Sequence, residues 1–255
     1  MKLKLNIFRL PFIAVFLLWI VFWIEKKSGL DFARFGVYPG DISSLFGVLF
    51  SPFIHGNLEH LYNNSVPLFV LLFMMQYFYK KQTLWVIFFG ILFSGLFTWF
   101  VGRPSYHIGA SGLIYALVSF IFFKGILTKN YRLTALSLIV VFLYGSMVWY
   151  IFDIKEGMSW EGHLGGFLAG IILAFLTETP EEFAQTYKYE WERPDFNRYK
   201  DPFMKHFDEN GNFVSNPHTH TTTDEKIKFK YVIIKEEVKE EQKLPASKSQ
   251  ILNDK

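Results

Sequence analysis

The 255-residue sequence contains no cysteine. Disulfides, thiol nucleophiles and cysteine-based metal sites are therefore excluded. Charge is also scarce in residues 1–177, which hold 13 basic and 7 acidic side chains, whereas residues 178–255 hold 13 basic and 16 acidic ones. Neither of these charge balances indicates a protein that binds nucleic acid. We predict two parts in series, a membrane domain over 1–177 and a polar tail over 178–255.

Apolar residues are abundant and come in blocks. They make up 51% of the chain, with 30 phenylalanines and 7 tryptophans. A helix needs about 20 apolar residues to cross about 30 Å of hydrocarbon, and most of the runs approach that length. We predict an all-α membrane protein with six transmembrane helices, at about 10–24, 58–79, 83–101, 108–123, 133–151 and 163–176. The interrupted stretch 25–57 is expected to be a loop half-buried at the bilayer interface.

An even number of spans places both termini on one side of the membrane. With the N-terminus inside, the inner segments carry eight basic residues and the outer segments five. The positive-inside rule therefore favours both termini inside. The tail would then be a cytosolic, partly ordered appendage with a turn at 208–211 and a strand-like stretch at 226–234. A cytosolic partner of the tail is one hypothesis, and a solvated appendage is the other.

Four polar residues lie near the outer ends of three different spans. His60 and Asn64 are near the start of the second span, Ser111 near the start of the fourth, and His163 at the start of the sixth. Even-numbered spans run from outside to inside, so all four share one depth. Ionisable groups inside a membrane are costly and usually mark function. We predict one site near the outer face.

Ser111 lies at the predicted N-terminus of a helix, between Gly109 and Gly112. The unpaired N–H groups and positive dipole end there suit both a nucleophile and the oxyanion formed when it attacks a carbonyl. The two glycines leave room for a substrate backbone. A packing face of small residues is the alternative interpretation.

His163 shares one helical face with Gly166 and Gly170, which lie three and seven residues further along. Glycines on that face allow another helix to approach closely enough for a Ser–His hydrogen bond of roughly 2.6–3.2 Å. A structural histidine bonded to a backbone carbonyl is the alternative.

His60 and Asn64 are four residues apart, and therefore lie on one face of the second span. A neutral histidine N–H and an asparagine amide are donors without net charge, so they suit an oxyanion hole. Asn63, three residues from His60, is also plausible by geometry.

The histidines also allow other interpretations. His55 and His60 could form a metal site with His163, but no acidic side chain occupies a convincing third-ligand position. We therefore predict no metal and no cofactor. His107, in the short loop before the fourth span, is expected to be solvated or interfacial, and His206, His218 and His220 are expected on the surface of the tail.

Three motifs together resemble the rhomboid family of intramembrane serine proteases over residues of about 10–177. They are His55-x4-His60-x3-Asn64, Gly109-Ala110-Ser111-Gly112-Leu113-Ile114-Tyr115-Ala116 and Gly162-His163-Leu164-Gly165-Gly166-x3-Gly170. Each is weak alone, but they occur in order in spans two, four and six. The resemblance implies a six-span protease of the bacterial inner membrane that cleaves transmembrane protein substrates.

The resemblance also implies residue roles. Ser111 would be the nucleophile and His163 its general base, in a dyad without a carboxylate. His60, Asn64 and the Ser111 backbone N–H would form the oxyanion hole. The supporting residues would be Tyr115, packed against the His163 ring, His55, tying the outer loop to span two, and the close-approach glycines Gly109 and Gly166.

The sequence departs from the family pattern at three places. It has no Trp-Arg pair in the first outer loop, Phe73-Met74-Met75-Gln76 replaces a Gly-x-x-Leu-Glu pattern, and Gly162 replaces the usual alanine before the histidine. Two rival functions stay open at this point. One is an inactive rhomboid-like protein that binds transmembrane clients, and the other is a small transporter that uses histidines as proton relays.

Overall fold

The computed structural model describes residues 5–152, 158–184, 189–198, 200–208 and 210–214. The chain forms two compact units, and the second begins at Tyr189. Within the described ranges there is no β-strand, and seven α-helices are present. They are α1 (Arg9–Ser28), α2 (Gly47–Phe50), α3 (Leu58–Phe78), α4 (Thr83–Val101), α5 (Ser111–Leu127), α6 (Tyr131–Tyr144) and α7 (Trp160–Leu176).

Each of the six predicted apolar runs overlaps one of the longer helices. The run 133–151 divides into α6 and a 3-10 segment, Gly145–Ile151. By length and composition, three helical segments of the described chain could cross a membrane, namely Leu5–Ser28, Thr83–Val101 and Tyr131–Ile151. Ser111–Leu127 and Trp160–Leu176 are shorter apolar helices. The protein is therefore a helical, integral membrane protein.

Helix α5 occupies the centre of the first unit, where it contacts α3, α4, α6 and α7. Lipid tails are as apolar as leucine, so membrane helices associate through close packing rather than through a hydrophobic driving force. Glycines provide that packing against α7. A side chain at Gly166 would overlap the Gly112 carbonyl, and one at Gly170 would overlap Ser119 and the Ala116 carbonyl. The two helices therefore meet backbone to backbone.

The loop between α1 and α3 is partly buried against the helices. Gly47 and Val48 of α2 are buried, and α2 packs on α4 at Gly95, where a side chain would collide with Val48. Val37 pairs with His107 through both backbone hydrogen bonds, which joins this loop to the one before α5. The loop also exposes large apolar side chains, Ile42, Leu45, Phe46, Leu49 and Phe50.

The C-terminal end of α7 is held by polar side chains of neighbouring helices. The buried Lys124 of α5 donates to the carbonyls of Ala174 and Thr177, which α7 itself leaves unpaired. Beyond the helix, Gln82 donates to the Glu178 carbonyl, and Phe183 is buried in the core. The first unit thus includes residues past 177, where the sequence analysis placed the end of the membrane domain.

The second unit is described only up to residue 214. The turn predicted at 208–211 is confirmed, because Gly211 N–H bonds the Asp208 carbonyl and Gly211 has a φ of 83°. Asp208 stabilises the turn by accepting from the Asn210 and Asn212 amides. The strand predicted at 226–234 lies outside the described residues.

The contact between α5 and α7 generates a stability prediction. We expect Gly166→Ala to lower the free energy of unfolding by about 1–3 kcal/mol, because the new methyl group overlaps the Gly112 carbonyl. Thermal unfolding in detergent measures this. Gly56→Ala is the control, since its methyl group meets nothing closer than 3.9 Å. Equal stability of both variants would contradict the packing argument.

Candidate functional site

Three helix N-termini bring the predicted site residues together. His60 is the third residue of α3, whose first turn is capped by Asn57 accepting from the His60 N–H at 2.8 Å. Ser111 is the first residue of α5, and His163 is the fourth residue of α7. Ser111 therefore stands where backbone N–H groups lack intrahelical partners and the helix dipole is positive.

Gly109 is the point on which the side chains of α3 converge. Its φ of 107° is in the left-handed region, and a Cβ placed there would lie 2.5 Å from His60 Nε2 and 3.4 Å from Asn64 Nδ2. Asn64 is buried, and its Nδ2 has no hydrogen-bond partner among the described residues. Asn63 is exposed. Of the two candidate asparagines, Asn64 is therefore the one that faces the start of α5.

The His163 ring is held on two sides. It is buried and stacks on the Tyr115 ring, with centroids 4.3 Å apart and planes 14° from parallel. Its Nδ1 lies 3.2 Å from the Tyr150 carbonyl oxygen. A carbonyl only accepts, so Nδ1 carries the hydrogen and a neutral ring presents Nε2 as its basic nitrogen. The Tyr115 hydroxyl donates to the Met147 carbonyl at 2.6 Å, so the 3-10 segment holds both rings.

Ser111 is partly buried, and its hydroxyl forms no hydrogen bond with any described residue, His163 included. A cavity of about 30 Å³ adjoins it, lined by Ser94, Gly112 and Gly162 among others. That volume holds about one water molecule. A larger cleft of about 460 Å³ is lined by His60 and by residues of the loops before α5 and α7. The cavity at the serine therefore has room for water, and the larger cleft begins beside His60.

His55 is fully buried, and its ring lies edge-on to that of His60, with centroids 4.9 Å apart. Burial, and then the proximity of His60, lower the pKa of His55 to about 4, so the ring is neutral at physiological pH. The Phe53 backbone opposes this shift, but neither ring nitrogen reaches full hydrogen-bond geometry with a described residue. Among the residues that the structure describes, no group of three His, Asp or Glu side chains could hold a metal ion.

The expectation for His107 was wrong, because this residue is buried rather than solvated. Its Nδ1 lies 2.7 Å from Ser159 Oγ, and its Nε2 lies 3.0 Å from the Arg103 carbonyl. Arg103 itself pairs with the buried Glu161. The sequence reasoning missed these residues, although Glu161 is the only charge in Trp160–Leu176 and Ser159 has the spacing of an N-cap to Gly162.

The comparisons with known proteins agree with one another. A family model described as Rhomboid domain matches residues 43–179. A Mycobacterium tuberculosis protein, named as uncharacterized, is 34% identical over 188 residues, which cover 70% of this chain and 78% of the relative. A Mycobacterium leprae protein, also named as uncharacterized, is 30% identical over 181 residues, covering 68% and 72%. A protein of Acanthamoeba polyphaga mimivirus, named as a rhomboid protein, is 31% identical over 144 residues, covering 54% and 79%.

The convergence on Gly109 generates a second prediction. We expect Gly109→Ala to lower the free energy of unfolding by about 1–3 kcal/mol, because the residue must keep a positive φ and its methyl group meets the His60 ring. Thermal unfolding measures the loss. Gly40→Ala is the control, since Gly40 also has a positive φ but nothing within 4 Å. A Gly109 variant no less stable than the Gly40 variant would contradict the contact with His60.

Proposed function

We propose, from the premise that this chain belongs to the rhomboid family, that it is an intramembrane serine endopeptidase with Ser111 as nucleophile and His163 as general base. The observation that carries the proposal is the setting of the His163 ring. Tyr115 lies one turn along α5 from Ser111, on the same helical face, and the His163 ring stacks on it. The Tyr150 carbonyl selects the tautomer in which Nε2 is free to take a proton.

The proposed reaction is acyl transfer in two stages. The Ser111 hydroxyl attacks the substrate carbonyl while its proton moves to His163 Nε2, and the imidazolium then gives that proton to the leaving amine. Water repeats the sequence on the acyl-enzyme, and the acid product and free serine result. Throughout, the Tyr150 carbonyl accepts from Nδ1 and stabilises the charged ring, the part that a carboxylate plays in a triad.

Hydrogen-bond donors for the oxyanion are available beside Gly109 and at the start of α5. The His60 ring and the Asn64 amide both face Gly109, and the Ser111 backbone N–H lies at the start of the helix. A buried donor without a partner costs free energy. Asn64 Nδ2 has no hydrogen-bond acceptor among the described residues, so a developing oxyanion would supply the acceptor that this amide lacks. Such donors stabilise the transition state more than the ground state because the charge appears only there.

The substrate class follows from the family and from the physics of the bilayer. A transmembrane substrate has all its backbone amides paired within a helix, so the helix must unwind before a carbonyl can reach Ser111. We therefore expect cleavage near small or helix-breaking residues close to the outer end of the substrate span. The cleft of about 460 Å³ beside His60 would supply water.

The proposal includes a topology that fits these roles. All six long helices would cross the membrane, with both termini inside, so that the N-termini of α3, α5 and α7 lie near the outer face. In a bacterium the location would be the inner membrane. Residues 178–255 would be cytosolic, and a cytosolic partner that binds them is part of the hypothesis.

One observation favours a second candidate, a catalytically inactive rhomboid-like protein that binds transmembrane clients. It is the lack of a Ser111–His163 hydrogen bond within the described chain. We prefer the peptidase because catalytic hydrogen bonds in unliganded enzymes are often long and shorten only when substrate binds. Labelling of the protein by a fluorophosphonate, lost in Ser111→Ala, would separate the two functions.

The first prediction from this mechanism concerns the dyad. We expect Ser111→Ala and His163→Ala each to abolish cleavage of a single-span reporter in liposomes, because either change removes the nucleophile or its base. Ser119→Ala, two turns further along α5, is the matched control and should keep activity. Normal turnover in either dyad variant, with membrane insertion unchanged, would refute the assignment.

The second prediction concerns the oxyanion donors. We expect Asn64→Ala and His60→Ala to lower kcat by about 10²–10³-fold each, because each removes one donor to the oxyanion. Asn63→Ala should leave kcat unchanged, since Asn63 is exposed. Steady-state cleavage of the reporter measures both. An Asn63 variant as impaired as the Asn64 variant would contradict the arrangement.

A further inference from the structure

The loop before α5 is joined to the start of α7 by an ion pair whose carboxylate is buried. Arg103 Nε lies 2.7 Å from Glu161 Oε1, and the Arg103 backbone N–H donates to the same oxygen at 3.2 Å. Arg103 Nη2 donates to the Met158 carbonyl at 2.7 Å. The Glu161 side chain is fully buried, whereas that of Arg103 is 39% exposed. Arginine presents its donors in a rigid fork, so this pairing sets a direction as well as a distance.

A second link joins the same two segments. His107 Nε2 lies 3.0 Å from the Arg103 carbonyl, which only accepts, so Nε2 carries a hydrogen. His107 Nδ1 and the Ser159 hydroxyl oxygen form a hydrogen bond of 2.7 Å. The Ser159 oxygen in turn accepts from the Gly162 N–H, which caps the first turn of α7. The start of α7 is thus bonded to the loop before Ser111 through side chains.

These links supply direction, which glycine packing does not. The glycine contacts between α5 and α7, at Gly112 with Gly166 and at Gly170, allow a close approach but contain no directional bond. The ion pair and the Ser159 link instead join the loop before Ser111 to the N-cap and first turn of α7, before His163. A misplacement of about 1 Å at reacting groups can cost about 10²-fold in rate. Directional bonds at this end are therefore able to hold Ser111 and His163 at one separation.

We propose that Arg103, His107, Ser159 and Glu161 form an outer clamp whose role is to set the separation between Ser111 and His163. The four are positioning residues, because they act through the nucleophile and the base rather than on the substrate. The expected effect of the clamp on the cleavage rate rests on the proposed peptidase function. Its expected effect on the distance between Ser111 and His163 does not.

The rate test uses Arg103→Met, Glu161→Gln and the double variant of the full chain in liposomes. We expect each single variant to lower kcat by about 10–100-fold with KM within about twofold, because substrate contacts are kept while the dyad is displaced. The double variant should be no slower than the slower single variant, because the two substitutions remove the same Arg103–Glu161 interaction. Lys81→Met is the matched control, because Lys81 forms an exposed pair with Glu181.

Arg103→Lys is the control for misfolding, because it keeps a positive charge beside the buried Glu161 and loses only the fork geometry of the guanidinium group. Its kcat should lie between those of the wild type and Arg103→Met, with the wild-type unfolding temperature. Single-variant kcat values within twofold of wild type would overturn the proposal. Losses of kcat that follow the unfolding temperature across the series would also overturn it.

The geometry is tested without catalysis. The chain has no cysteine, so spin labels can be placed at Tyr106→Cys and Ile172→Cys, both exposed and outside the clamp. Pulsed electron paramagnetic resonance should give a narrow distance distribution that broadens or shifts in Glu161→Gln and stays unchanged in Lys81→Met. A distribution unaffected by Glu161→Gln refutes the clamp. If the wild type fails to cleave the reporter, the peptidase function fails, and this distance measurement still decides the clamp.

Discussion

The backbone-to-backbone approach of α5 and α7 is the contact on which the rest of the site depends. Gly166 has no side chain where the Gly112 carbonyl passes, and Gly170 likewise makes room for Ser119. Only at this separation can the His163 ring of one helix stack on the Tyr115 ring of the other. In a bilayer the hydrophobic effect does not press helices together, so small residues must create the close contact. A larger residue at Gly166 would separate the two halves of the site.

Backbone carbonyls hold the polar groups that the helices carry into the apolar layer. The 3-10 segment Gly145–Ile151 presents the Met147 carbonyl to Tyr115 and the Tyr150 carbonyl to His163. A carbonyl oxygen has two lone pairs, so it can accept such a bond in addition to any bond within its own helical segment. A carbonyl sets the tautomer of a buried histidine without the desolvation cost of a buried carboxylate. Lys124 uses the carbonyls at the C-terminal end of α7 in the same way.

Much of the site could be predicted because its residues lie at helix ends that hydropathy locates. The positions of Ser111, His60 and His163 followed from where each apolar run begins, and the rhomboid resemblance is confirmed by the family match. Helical spacing alone left Asn63 open beside Asn64, because both positions are within reach of the His60 face of a helix, and the rhomboid resemblance favoured Asn64. His107 was misjudged because its burial comes from Val37 and Ser159, both more than 50 residues away.

The sequence by itself determined that the chain is helical and membrane-embedded, and that its polar site residues lie near the starts of apolar runs. Hydropathy and the spacing of residues along a helix are local properties, so they can be read without knowing any neighbour. Only the tertiary structure decided that Asn64 faces Gly109, that His163 is oriented by Tyr150, and that Arg103 pairs with Glu161. These depend on which segments meet and on how closely. The packing of all the helices together decides which segments meet, and a single run of residues does not contain that information.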